Sequence, residues 1–137
     1  MKIVYWTGTG NTQKMAEALA AGIQEAGSEA ELLFPTQIDA ATLLAEDAFA
    51  LGCPSMGAEE LEETEMEPFM AELESGLSGK KVALFGSYGW GDGEWMRNWE
   101  ERVRAAGAML VNDGVIANGE PSDDEVEQLK ALGKMLL

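Results

Sequence analysis

The chain has 137 residues, a formal net charge of −16, no histidine and a single cysteine. That length suits one domain, residues 1–137, with a full hydrophobic core; the lone Cys53 excludes an internal disulfide, and the lack of histidine excludes Ser-His or Cys-His catalysis and removes the commonest metal ligand. So acidic a surface repels nucleic acid and anionic membranes and favours basic protein partners, while the chain shows neither an apolar run of membrane-spanning length nor a basic-then-apolar leader, so a cytoplasmic location is expected.

The first element is a buried strand, Ile3-Val4-Tyr5-Trp6. It runs into Thr7-Gly8-Thr9-Gly10-Asn11-Thr12, and a helix follows, with Met15, Ala16, Leu19, Ala20 and Ile23 at spacings of three and four. The two glycines let the backbone approach a ligand closely. The helix start aims unpaired N–H groups and the positive end of its dipole at the turn. Three threonine hydroxyls add donors, and no Lys or Arg stands in the turn. The pattern describes a site for one terminal phosphate, held mainly by hydrogen bonds; the plainer alternative is a Thr-capped unit that happens to contain glycines. The Walker pattern fails because Asn11 follows Gly10, and the dinucleotide fingerprint fails because Gln13 replaces its third glycine.

Glu31-Leu32-Leu33-Phe34 reads as strand two, Thr36–Glu46 as loop and short helix, and Asp47–Gly52 as strand three. Phe69, Met70, Leu73 and Leu77 mark a helix with Pro68 in its first turn. Lys81–Gly86 is strand four. Trp95, Met96, Trp99, Val103 and Ala106 mark the next helix, with Gly107 as its cap. Met109–Val111 and Val115-Ile116 form a broken fifth strand, and Ser122-Asp123-Asp124-Glu125 is a capping box opening the last helix. Alternating strands and helices predict an open parallel sheet covered on both faces, with the ligand beyond the C-terminal strand ends at a switch in strand order. Three loops lie there: 7–12, 53–60 and 86–93.

In the third loop, Gly86-Ser87-Tyr88-Gly89-Trp90-Gly91-Asp92-Gly93, Trp90 stands between glycines that pack little around it, so it suits stacking on a planar ligand better than core packing. The second loop, Pro54-Ser55-Met56-Gly57-Ala58-Glu59-Glu60, carries one soft apolar side chain on a turn. A flat ring between Met56 and Trp90 is one reading, with Glu59 able to accept from a ring N–H; the plainer alternatives are Trp90 folded back over the sheet end, Met56 as packing and Glu59 as a solvated surface charge. Cys53, at the end of an apolar run, reads as a small buried thiol.

On these three loops the chain resembles the short-chain flavodoxins. Thr7, Thr9, Gly10 and Thr12 match the family's phosphate loop; Met56, Gly57 and Glu59 match its Met-Gly turn before acidic residues; Ser87 to Gly93 matches its aromatic, glycine-rich loop. The resemblance runs the whole length, in order. It implies a flavodoxin-like three-layer α/β sandwich, with a five-stranded parallel sheet in the order 2-1-3-4-5. It implies noncovalent FMN: Thr7, Gly8, Thr9, Gly10, Asn11 and Thr12 at the phosphate; Met56 and Trp90 flanking the isoalloxazine; Glu59 at N3–H; the backbone of Gly89, Trp90 and Gly91 at O2. Ser55, Ala58, Ser87, Tyr88, Asn118 and Gly119 complete the set. It implies a monomeric, low-potential one-electron carrier, not an enzyme, cycling mainly between semiquinone and hydroquinone, with redox partner proteins that present basic docking surfaces. It also implies that the Met-Gly turn reorients on reduction. If that turn spans Met56 to Glu59, Gly57 is its first central residue and needs φ > 0. Two departures touch the phosphate and ribityl contacts: Pro54 stands where some relatives carry a Ser, and Gly119 where some carry an Asn.

The acidic run Glu59, Glu60, Glu62, Glu63, Glu65 and Glu67 lies on the ring side. One charge at roughly 10 Å costs an added electron on the order of 0.5–1 kcal/mol, so several lower the second potential by ~100 mV. An FMN-dependent reductase would need a dinucleotide pocket, for which no basic segment is present. A phosphorylated receiver domain would need acidic residues where Thr7-Gly8 and Gly52-Cys53 stand.

Overall fold

The computed structural model describes residues 1–137. Strand β1 (Lys2–Tyr5) pairs in parallel with β2 (Glu31–Leu33) on one side and β3 (Ala48–Gly52) on the other. Strand β4 (Lys81–Tyr88) pairs with β3 and carries two further parallel strands on its far edge: β5 (Met109–Leu110) opposite Lys81 and Val82, and β6 (Val115–Asn118) opposite Phe85 to Tyr88. The order is β2-β1-β3-β4-β5, with β6 beside β4, so the expected fifth strand is realised as two.

Period-two alternation divides the strand residues between two cores. Ile3, Tyr5, Ala50, Ala83 and Phe85 face helices α1 (Asn11–Glu25) and α5 (Asp123–Met135). Val4, Phe49, Leu51, Val82 and Leu84 face α3 (Met66–Leu73) and α4 (Glu94–Ala105), with the short α2 (Ala40–Leu44) at the edge. The strand interiors are apolar on both faces because both faces are covered. Helices α1 and α5 pack backbone to backbone. A Cβ on Gly22 would strike the Lys130 carbonyl, and one on Gly133 would stand 2.5 Å from the Leu19 carbonyl oxygen.

Strand β4 runs two residues beyond its expected end, so Ser87 and Tyr88 belong to the sheet and not to a loop. The cause is β6, whose Ala117 and Asn118 pair with them. The capping box at α5 is complete: Ser122 Oγ accepts from Glu125 N at 3.2 Å and Glu125 Oε1 from Ser122 N at 2.9 Å.

Candidate functional site

A cleft of about 290 Å³ opens at the C-terminal ends of β1, β3, β4 and β6. It is lined by Trp6, Thr7, Gly8, Thr9, Asn11 and Thr12, by Pro54, Ser55 and Met56, by Ser87, Tyr88 and Gly89, and by Gly119. All three expected loops therefore meet in one cavity, at the switch point where β1 and β3 diverge.

The turn after β1 is not Thr-capped. The N-cap of α1 is Gly10, held at φ +97° with no side-chain cap; Thr7 Oγ1 instead accepts from Gly10 N at 3.1 Å, within the turn. The helical ladder begins at Lys14 N donating to Gly10 O, 3.1 Å. The N–H groups of Gly8, Thr9, Asn11, Thr12 and Gln13 donate to no protein acceptor. They form a cluster of donors at the positive end of a 15-residue helix.

Ser87 ties the cleft together. Its N–H donates to Thr12 Oγ1 (3.3 Å), its carbonyl accepts from Ser55 N (3.0 Å), and its hydroxyl donates to the Gly119 carbonyl (2.6 Å). One buried residue on β4 thus joins the helix start, the second loop and the end of β6. Gly119, and not Asn118, lines the cavity; Asn118 is exposed.

The second loop folds as a three-residue hairpin. Met56 and Glu60 exchange two backbone hydrogen bonds of 2.8 Å around Gly57-Ala58-Glu59. The turn therefore closes at Glu60 and not at Glu59. Gly57 has φ +51° and Glu59 φ +56°. Glu59 is buried and does not line the cleft. Its Oε1 accepts from Gly93 N at 3.3 Å and occupies the space a Cβ on Gly91 would fill, so it binds the second loop to the third. Gly57, Ala58, Trp90 and Gly91 also lie outside the lining. Trp90 is 63 % exposed, and Met56 on the second loop is also exposed. Trp95 and Trp99 are core, as their spacing predicts.

The acidic run is only partly free. Glu62 is buried and accepts from Thr64 N (2.8 Å), the Thr64 hydroxyl, Glu65 N (2.7 Å) and Met66 N (3.1 Å), closing the start of α3. Burial pushes its carboxyl upward, but these four bonds outweigh burial and hold it below the ordinary range. Glu67 makes a two-pronged pair with Arg102 (2.6 and 2.9 Å), which also binds Glu74. Glu60, Glu63 and Glu65 remain as surface charges. Cys53 is fully buried, and burial drives its thiol up to about 12, so it is no nucleophile.

Trp6 and Pro54 line the cleft but stand outside the set read from the sequence. Trp6 was absorbed into the apolar run of strand one; its position one residue before the turn was the available signal.

A cleft at the crest of a doubly wound sheet, lined by a turn rich in Gly and Thr, is the ligand position of the open-sheet α/β proteins. The flavodoxin family model matches residues 3–132. The flavodoxin of Clostridium beijerinckii is 54 % identical over 128 residues, 93 % of this chain and 91 % of the relative. That of Megasphaera elsdenii is 42 % identical over 134 residues, 98 % and 96 % of the two chains. The solution structure of two-electron reduced M. elsdenii flavodoxin superposes with a TM-score of 0.87 over 97 % of this chain and 98 % of that one, at 42 % identity. The chain belongs to the flavodoxin family, FMN-binding electron carriers and not enzymes.

Proposed function

We propose that this cleft holds FMN noncovalently, with its phosphate on the turn 7–12 and its ring between Met56 and Trp90. The observation that carries the reading is the group of five unpartnered backbone N–H donors in the turn and first residues of α1, beside a cleft that the exposed Met56 lines and outside which the exposed Trp90 stands. Dianionic phosphate satisfies such donors without a basic residue. Thr7, Thr9, Asn11 and Thr12 line the same cleft. Ser55 and Gly119 lie between the two ends, where the ribityl chain would run. Glu59, which stands outside the cleft lining with Oε1 held by Gly93 N, would meet the ring N3–H through Oε2, and the backbone of Gly89 to Gly91 would meet O2. Bound FMN supplies one-electron chemistry, passing mainly between its half-reduced and fully reduced forms.

In this reading the protein is a cytoplasmic monomer that shuttles electrons between partners presenting basic surfaces. The net charge of −16 supports that docking mode, and no helix is long and apolar enough to cross a membrane. Fewer charges act on the ring than the count of acidic residues suggests, since Glu62 caps a helix and Glu67 is paired. The test is FMN against riboflavin on apoprotein, followed by anaerobic redox titration. Strong preference for FMN, one equivalent bound and two resolved one-electron steps are expected. Equal affinity for riboflavin would remove the phosphate from the turn.

A further inference from the structure

The geometry points to Trp6 as the residue that positions the phosphate turn, and so as a determinant of the preference for FMN over riboflavin. The inference rests on the placement of FMN given above, in which Trp6 had no part. The Trp6 N–H donates to Gly52 O at 3.0 Å, which carries the β1–β3 ladder one residue past β1 and fixes the start of the side chain. The half-buried indole packs on the core beneath α3 and α4, and it also lines the cleft. Its outer edge lies directly against Gly8: a Cβ there would stand 3.1 Å from Cη2 and 3.2 Å from Cζ3.

Within residues 7–10 the turn holds itself by one hydrogen bond, Gly10 N to Thr7 Oγ1. Gly8 and Thr9 are exposed, and their N–H groups make no bond to protein. The indole edge supplies the support that such an open turn lacks. A rigid aromatic floor spares the ligand the cost of ordering the donors. Gly8 does not sit in the left-handed region, so glycine is needed here for room beside the ring and not for backbone freedom.

The experiment measures FMN and riboflavin affinities of apoprotein for wild type, Trp6→Phe, Gly8→Ala and the double variant. A phenyl ring is shorter and withdraws from Gly8. Trp6→Phe should weaken FMN about tenfold and riboflavin less than about twofold, a loss of preference that simple destabilisation would not give. Gly8→Ala, in an exposed turn, presses only on the outer edge of the indole and should cut the preference about tenfold alone and by less than about twofold in the Trp6→Phe background. Equal weakening of both ligands by Trp6→Phe, or an alanine cost that is the same in both backgrounds, overturns the inference. An unchanged preference in Gly8→Ala overturns it even where Trp6→Phe fails to fold. Wild type that binds riboflavin as well as FMN overturns the phosphate placement itself, a separate outcome.

Discussion

Gly57 sits at φ +51°, inside the left-handed region where asparagine is tolerated and a β-branched residue is not. Gly57→Asn should bind FMN within about threefold of wild type, whereas Gly57→Thr should lose on the order of 1–2 kcal/mol of affinity, about tenfold, because the strain is present before reduction. Indistinguishable titrations of the two variants would show that backbone geometry at this residue does not matter. The two core tryptophans of α4 make a second comparison. Trp95 Nε1 donates to Cys53 O at 3.0 Å, while Trp99 Nε1 is buried without a partner. Phenylalanine at 95 orphans a buried carbonyl; at 99 it deletes a donor that already costs ~1–3 kcal/mol. Urea midpoints should therefore fall further for Trp95→Phe than for Trp99→Phe, although both lose similar volume. The reverse order would mean that the Trp99 indole is satisfied.

At the scale of elements, the start of α3 depends on one carboxylate. Glu62 has a lowered pKa in the folded protein, so its contribution to stability is present above the ordinary value of 4.5 and is lost as pH falls through the lower folded value. Glu62→Gln should be less stable at neutral pH and should show a shallower loss of stability on acidification below that value, read from unfolding curves at a series of pH values. Parallel acid limbs for variant and wild type would contradict the capping assignment. This role was not legible in the sequence. A glutamate among six reads as a solvated face, and only the reversal of the chain between β3 and α3 turns it inward. The elements with regular patterns were legible: the apolar runs of β1, β3 and β4, the three–four spacing of α1 and α4, and the box at Ser122. The end of β4 was not, because Ser87 and Tyr88 look like loop until β6 pairs with them from thirty positions further along the chain. The same pairing converts Ser87 from a listener at the cleft into its joint. The cleft role of Trp6 is hidden in the sequence for a related reason. A tryptophan closing an apolar strand satisfies the core pattern, and its second duty appears only when Gly8 is laid against it.

Across the whole molecule the cations are sorted. Lys2, Lys80, Lys81, Arg104, Lys130 and Lys134 lie at the end where the strands begin and α1, α4 and α5 finish. At the cleft end Lys14 is tied to Glu120 and Arg97 to Asp92; at the other end Lys2 is tied to Glu46, Lys130 and Lys134 to Glu25 and Arg104 to Asp113, and Lys80 and Lys81 make no ion pair. Electron transfer to a basic partner should accordingly slow as salt rises, while FMN affinity, set by close contacts, should change little. Stopped-flow rates at several ionic strengths check this, and a salt-independent rate would remove steering from the account. The sorting also makes the molecule a lever with a preferred end. On an amine-coated electrode it should settle cleft downward, bringing the flavin close to the conductor and giving fast heterogeneous current. On a carboxylate-coated one any adsorbed molecules should lie the other way up, with the sheet's full length as a tunnelling gap, so the two coatings should separate the same protein into a conducting film and an insulating one.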